Sequence, residues 1–219
     1  MTDHSSRRTT RCWIFVAVTV LLWTVLGIGG VLPHGTADDS PAAADKSANE
    51  VRSFGDLQTG DRVPSFYVRA VTGPHANKSV CYVCRYLDRP VAMIVVRSFS
   101  PGLTELLRGI DTVVDESRSV GLRSFVVFVA PTNPPDADSR TLFARVQTLG
   151  FDEKLSIPLT VAAAFDDASS HPGTPPADVT VVLYRRQQVV TSVGLRRDEL
   201  TKPKIDDLLA RLRRLPDEP

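Results

Sequence analysis

Residues 91–96 (Val-Ala-Met-Ile-Val-Val) form an unbroken apolar run between Pro90 and Arg97. Successive side chains of a β-strand point to opposite faces of the sheet, so a strand that is apolar at every position must be covered on both faces. Residues 124–130 (Ser-Phe-Val-Val-Phe-Val-Ala) have nearly the same character. The two runs predict buried central strands, and we expect them to be parallel neighbours in one sheet.

A helical pattern follows each of these two strands. Pro101 suits a first helical turn, and apolar residues then recur at helical spacing up to a stop at Gly121. A second helix is predicted from a cap at Asp138 to Gly150. The apolar stripes of the two helices are Leu103, Leu106, Leu107, Ile110, Val113 and Val114, and then Leu142, Phe143, Val146 and Leu149.

Four shorter runs complete the set of predicted strands, over residues 65–71, 157–161, 178–184 and 188–193. The last two are close enough for a hairpin, although the turn between them lacks the Asn-Gly signal. A proline-containing loop over residues 166–177 precedes them. A final helix turns Ile205, Leu208, Leu209 and Leu212 inward. With right-handed crossovers, this order predicts an α/β fold, a mixed sheet with helices on both faces.

Length and charge restrict what the chain can do. It has 219 residues, of which 42% are hydrophobic and 23% are charged. This is enough for one sizeable core and one domain once the chain ends are set aside. The formal net charge is +1, so there is no excess of positive charge to neutralise nucleic-acid phosphates. We therefore expect no nucleic-acid partner.

The N-terminal segment predicts membrane targeting. Arg11 and two earlier arginines precede an uncharged run over residues 12–32, which is long enough to cross a hydrocarbon core of ~30 Å as a transmembrane helix. Positive charge before the run and Asp38 after it predict an extracytoplasmic domain. Small residues over 35–37 would permit signal-peptide cleavage, so a retained anchor and a cleaved signal both stay open.

The predicted organisation has four parts. A membrane anchor or signal segment covers residues 1–37, a flexible linker 38–59, a folded domain 60–215 and a tail 216–219. The linker residues are small and polar and are interrupted by proline, a composition that buries too little apolar surface to fold. We expect the domain to be membrane-anchored or secreted, on the extracytoplasmic side.

Cys81 and Cys84 enclose Tyr82 and Val83 in a Cys-x-x-Cys motif, the one strongly reactive pattern in the sequence. The third cysteine, Cys12, falls in the hydrophobic segment, so the folded part holds a single dithiol. Residues three apart point to opposite faces of an extended strand. A disulfide between the two cysteines therefore requires a turn or a helical start at Tyr82 and Val83.

The order of the elements over residues 60–215 resembles the thioredoxin fold. Ile157-Pro158-Leu159-Thr160 resembles the strand start at which that family has a cis-proline. The resemblance implies a cis Ile157–Pro158 bond and a substrate-docking role for Pro158. Residues 60–66 (Gly-Asp-Arg-Val-Pro-Ser-Phe) look like the beginning of the peroxiredoxin and membrane-anchored thioredoxin branches.

The dithiol is displaced from its usual place in that family. Thioredoxins carry the motif directly after the central strand, where the start of the next helix stabilises a thiolate. Here that place is taken by residues 98–103 (Ser-Phe-Ser-Pro-Gly-Leu), which include no cysteine. The motif precedes the strand instead. A peroxidase function is disfavoured, because the peroxidatic cysteine would also follow the strand.

Three interpretations of the pair stay open. In the first, Cys81 and Cys84 are the catalytic pair of a thiol–disulfide oxidoreductase with a protein thiol or disulfide as substrate. Family habit then makes Cys81 the attacking thiol, and Arg85 and Arg89 favour the thiolate. In the second, the domain is a non-catalytic binding module and the pair is a structural disulfide. In the third, the pair is half of a metal site shared between two chains. We favour the first, and we expect no cofactor and no metal.

We predict that the mature protein begins at Met1 and that protease added outside intact cells cleaves the folded domain. A retained segment over residues 12–32 would hold the domain at the extracytoplasmic surface of the membrane. N-terminal sequencing and a protease-accessibility assay measure the two parts. A mature N-terminus at Asp38 would show that the segment is removed, and full protection of the domain in intact cells would contradict the extracytoplasmic placement.

Overall fold

The computed structural model of the chain describes residues 57–130, 135–162 and 177–217. The strands within these ranges are β1 (Val68–Ala70), β2 (Ser79–Val80), β3 (Val91–Val96), β4 (Arg123–Val129), β5 (Leu159–Ala162), β6 (Val179–Arg185) and β7 (Gln188–Leu195). The helices are α1 (Tyr82–Tyr86), α2 (Leu103–Glu116), α3 (Pro135–Asp152) and α4 (Lys202–Arg214). A short 3₁₀ turn, Leu215–Asp217, follows α4. The predicted α/β architecture is confirmed.

The strands form one mixed sheet in the order β2-β1-β5-β4-β3-β6-β7. β3 pairs in parallel with β4, with Ile94 opposite Val126. On its other side β3 pairs antiparallel with β6, with Ile94 opposite Val181. All residues of β3 are buried. The prediction that the two apolar runs are central, parallel neighbours is therefore confirmed.

Alternation along β3 divides the interior into two cores, one on each face of the sheet. Ala92, Ile94 and Val96 contribute to the first core, which also holds the apolar stripes of α2, α3 and α4. The crossovers from β3 to β4 and from β4 to β5 step in the same direction through the sheet. Right-handed connections of this kind place their helices on the same face.

The second core lies on the opposite face and contains Met93 from β3 and Phe125 from β4. Tyr82 and Val83 of α1 pack there, together with Leu57. Helices therefore lie on both faces, as predicted, but α1 is the one described helix on the second face. Leu57, which the sequence pattern assigned to the linker, is buried, so core packing begins before residue 60.

Two helices begin at places other than those predicted. α3 begins at Pro135, so Asp138 lies inside its first turn and not at its cap; proline is well suited to the first helical position. α2 begins at Leu103, after Pro101, because Gly102 has a φ of 85°, outside the helical region. At the C-terminus, Pro216 belongs to the 3₁₀ turn and not to a tail.

The predicted hairpin of β6 and β7 is present, and Arg186 and Gln187 form its turn. Their φ angles are 52° and 63°. Positive φ at both central residues is typical of a type I′ turn, whose twist matches that of the strands. Arginine and glutamine do not favour positive φ, and the pairing of β6 with β7 imposes it on them. The turn is therefore present without the Asn-Gly signal in the sequence.

The helices of residues 57–130, 135–162 and 177–217 are all too short or too polar to span a membrane. The predicted hydrophobic helix over residues 12–32 lies outside the described residues. The predicted loop over residues 166–177 also lies outside them, except for Ala177.

We predict that Gly102→Ala destabilises the domain more than Gly60→Ala does. Both glycines have positive φ, 85° and 91°, so the backbone strain of alanine is matched. A Cβ on Gly102 would lie 2.5 Å from the carbonyl oxygen of Leu200, whereas a Cβ on Gly60 would meet nothing within 4 Å. Overpacking of this kind costs about 1–3 kcal/mol. Chemical denaturation measures the difference, and equal losses for the two variants would contradict the packing around Gly102.

Candidate redox site

The dithiol lies at the start of α1, which precedes β3. Cys81 is the N-cap residue, in extended conformation, and its Sγ accepts a hydrogen bond from the backbone N–H of Cys84 at 3.1 Å. α1 ends at Tyr86, and its C-cap residue Leu87 has a φ of 44°, which takes the chain out of the helix. Tyr82 and Val83 thus begin a helix, one of the two conformations that the cysteine spacing requires.

Cys81 and Cys84 form a disulfide, with their Cα atoms 5.3 Å apart. The two cysteines differ in exposure. Cys81 is only 5% exposed and packs in the second core with Val83 and Met93. Cys84 is exposed. Family habit made Cys81 the exposed, attacking thiol, and the structure gives the exposed position to Cys84, because the N-cap residue lies against the sheet while the third helical residue faces solvent.

Aromatic contacts hold α1 on the sheet. The ring of Tyr82 stacks on Phe125 of β4 with centroids 5.1 Å apart, and it also contacts Tyr86 at 5.6 Å. Burial raises the pKa of the Tyr82 phenol above its usual range, and nearby Arg85 partly opposes this shift. These contacts fix the orientation of α1, so the exposure of Cys84 is a property of the packed domain.

Four arginines line a cavity beside α1. Arg85 belongs to α1, Arg89 follows it, Arg123 begins β4 and Arg118 follows α2, and all four line one cavity. The pKa of the Tyr86 phenol is raised above its usual range, mainly by burial and also by Tyr82. The charges of Arg123, Arg85 and Arg89 oppose this shift in part. The sequence pattern indicated Arg85 and Arg89. It gave no signal for Arg118 and Arg123, because only the tertiary fold brings them to α1.

Pro158 lies in the wall of the same cavity as Tyr82. It precedes β5, and its carbonyl oxygen accepts a hydrogen bond from Val126 of β4. β5 runs parallel to β4, and β4 runs parallel to β3. The chain therefore enters β5 at one end of the parallel strands, and residues 98–103 follow β3 at the opposite end. The structure therefore separates Pro158, to which the family resemblance gives the docking role, from the turn at the usual place of the dithiol.

Residues 98–103 make a network without a thiol. The Ser98 hydroxyl donates a hydrogen bond to the carboxylate of Asp178, which also accepts the backbone N–H of Arg197 at 2.8 Å. The guanidinium of Arg145 lies 3.6 Å from the ring centroid of Phe99. Polar and cation–π contacts therefore occupy the turn at which thioredoxins carry their dithiol.

Among the described residues, no group of three or more His, Cys, Asp or Glu side chains could hold a metal ion. The disulfide of α1 is thus the chemically distinctive group in this part of the chain.

Comparison with known proteins identifies the fold. No protein-family model matches the chain, and no curated protein matches it significantly. Solved structures do match. An uncharacterized conserved protein from Geobacillus kaustophilus is 12% identical, with a TM-score of 0.56 over 74% of this chain and 83% of that one.

Two further structures have names that indicate redox chemistry. A secreted thiol-disulfide isomerase from Corynebacterium glutamicum is 14% identical, with a TM-score of 0.51 over 74% of this chain and 95% of that one. A peroxidoxin from Mycobacterium tuberculosis is 18% identical, with a TM-score of 0.50 over 72% of this chain and 97% of that one. The chain has the thioredoxin-like fold.

We predict that, after mild reduction of the folded protein, iodoacetamide modifies Cys84 several-fold faster than Cys81. Cys84 is exposed, whereas Cys81 is packed in the second core, and a buried thiol reacts slowly. Peptide mapping by mass spectrometry measures both rates. In denaturant the two rates should become similar. Faster modification of Cys81 in the folded protein would contradict the orientation of α1.

Proposed function

We propose that the chain is a thiol–disulfide oxidoreductase whose redox pair is Cys81 and Cys84. The observation that carries the proposal is the arrangement of the pair, an exposed and a buried cysteine joined in a disulfide on a thioredoxin-like domain. Such a pair offers one sulfur to a substrate and keeps the other as an internal leaving group.

The exchange begins when a thiolate of a protein substrate attacks Sγ of Cys84. The bond between Cys84 and Cys81 breaks, a mixed disulfide forms, and Cys81 leaves as a thiolate. The N–H of Cys84, which already lies 3.1 Å from Sγ of Cys81, can donate a charge-assisted hydrogen bond to that thiolate.

A second substrate thiolate then attacks the substrate sulfur of the mixed disulfide and releases Cys84 as a thiolate. The substrate loses two electrons and two protons and gains a disulfide, and the protein gains a dithiol. The reverse sequence reduces a substrate disulfide. These roles reverse the order that the family resemblance implies, since Cys84 and not Cys81 exchanges with the substrate.

Pro158 is the proposed substrate-docking residue. Its place in the same cavity wall as Tyr82 and Arg85 puts it beside the helix that carries the dithiol. A cis Ile157–Pro158 bond stays a prediction. We also propose that residues 12–32 target the domain to the extracytoplasmic side of a membrane, where disulfides persist.

A second candidate function is that of a binding module with a structural disulfide. The burial of Cys81 among Tyr82, Val83 and Met93 favours it, because the cross-link would stabilise the first turn of α1, which packs in the second core. Closing so short a loop contributes about 2 kcal/mol to the free energy of unfolding. This contribution is present whichever function the chain has, so an activity assay separates the two functions better than a stability measurement does.

We predict that the chain catalyses reduction of insulin by dithiothreitol and that Cys81→Ser/Cys84→Ser abolishes this activity. The loss follows from removal of both exchanging sulfurs. Cys12→Ser is the matched control and should keep full activity, because Cys12 is not part of the dithiol. Turbidity of precipitating insulin chains gives the rate, and far-UV circular dichroism shows that each variant is folded.

The single variants test the roles within the pair. Cys81→Ser keeps the exposed thiol and should form a stable mixed disulfide with reduced insulin chains after oxidation. Cys84→Ser keeps only the buried thiol and should form little of it. A folded wild-type chain that never accelerates insulin reduction would overturn the proposed enzyme and favour the structural disulfide.

A further inference from the structure

A cavity of about 410 Å³ lies between α1 and α2, at the end of the sheet where β4 and β5 begin. Its volume is within the range of small-molecule sites, roughly 300–1,000 Å³. Neither cysteine belongs to the wall, so exchange at Cys84 takes place outside the cavity, although the proposed docking residue Pro158 forms part of the wall. The chemistry of the wall therefore needs its own explanation.

The wall carries an excess of positive charge. Arg85, Arg89, Arg118 and Arg123 line it, and Asp111 is the acidic residue among the lining residues. The Asp111 carboxylate is already occupied, since it accepts the backbone N–H groups of Ser156 and Ile157 at 2.9–3.2 Å. An anion in the cavity would thus meet four guanidinium groups and one hydrogen-bonded carboxylate.

The guanidinium groups keep donors for a ligand. Arg118 forms an ion pair with Asp115 at 2.7 Å, and Arg123 donates to the carbonyl of Leu122 at 2.8 Å. Each guanidinium has five N–H donors, so most remain. Among the described residues, no hydrogen bond or ion pair involves the guanidinium of Arg85 or of Arg89, although their backbone N–H groups donate to Cys81 and Tyr86. A planar guanidinium fork matches the oxygens of a carboxylate or a phosphate.

The rest of the wall is largely apolar and aromatic. Tyr82 and Tyr86 present their rings beside Val114, Ile157 and Pro158. Tyr82 is only 2% exposed, and its buried hydroxyl makes no hydrogen bond with the described residues. Buried polar groups normally have a hydrogen-bond partner, so the Tyr82 hydroxyl, on a residue of the cavity wall, has hydrogen-bonding capacity that the described residues do not use.

We propose that this cavity binds a small organic oxyanion. The carboxylate or phosphate group is held by Arg85, Arg89 and Arg123, and the apolar part of the ligand packs on the half-buried side chains of Tyr86 and Pro158. The site goes beyond the proposed redox function, because binding needs neither a thiol on the ligand nor a reduced dithiol in the protein.

The test is calorimetric titration of the full oxidised chain with phenyl phosphate and with benzoate. At least one of them should bind saturably. Inorganic phosphate supplies charge without an apolar part, and benzyl alcohol supplies a ring without charge. Both should bind at least about tenfold more weakly than the better probe, since each lacks one of the two contacts.

The matched variants remove two arginines each. Arg85→Gln/Arg89→Gln removes two guanidinium groups from the cavity wall. This double variant should raise the dissociation constant of the better probe at least about tenfold. Arg186→Gln/Arg213→Gln takes them from the β6–β7 turn and from α4, outside the cavity wall, and should leave binding unchanged. Circular dichroism confirms that both double variants are folded.

Three results would overturn the proposal. The first is the absence of saturable binding of both probes to the wild-type chain. The second is equal weakening in the two double variants, which would mean nonspecific attraction by net charge. The third is binding of inorganic phosphate as tight as that of phenyl phosphate, which would remove the apolar contact. None of them bears on insulin reduction, so this site and the proposed redox activity succeed or fail separately.

Discussion

Burial of β3 on both faces is the constraint on which the rest of the structure depends. Every residue of Val91–Val96 is buried, so both faces of the sheet must carry a covering layer. α2, α3 and α4 supply the layer on one face. On the other face the covering comes from α1 and the residues that precede β1, including Leu57 and Val63. The dithiol helix is thus part of the layer that buries the central strand.

This position explains the unequal surroundings of the two cysteines. Cys81 and Val83 belong to the side of α1 that packs on β3 and β4, and Cys84 belongs to the side in contact with solvent. Phe125 supports the arrangement through its contact with Tyr82. The pair before the central strand therefore has one accessible and one sheltered sulfur, the combination that the proposed exchange uses, without the turn at residues 98–103.

Much of the fold could be predicted from the sequence, because β3, β4 and the helix stripes have strong periodic patterns of apolar residues. The hairpin turn at Arg186 and Gln187 shows the limit of such reasoning, since strand pairing outside the turn imposes its positive φ angles. The spacing of Cys81 and Cys84 correctly required a turn or a helical start. Which cysteine is exposed depends on the packing of α1 against the sheet, which local sequence does not encode.

Pro158 shows a different limit. The motif around it resembles a strand start in the thioredoxin family, but the motif does not say which neighbours the strand will have. The structure places β5 beside β4 and β1, away from the hairpin strand β6. Arg118 and Arg123 reach α1 only through long-range contacts, so the cationic cavity could not be predicted from the residues near the dithiol.

The reduction potential of the Cys81–Cys84 pair tests the central claim most directly. Structural disulfides have potentials below about −300 mV, and working pairs lie well above that value. Equilibration of the full chain with glutathione redox buffers, followed by quenching and mass spectrometry of the two cysteines, gives the potential. We expect a value well above about −300 mV. A value below it would show that the disulfide is a permanent cross-link within the first turn of α1, and would contradict the assignment of thiol–disulfide exchange.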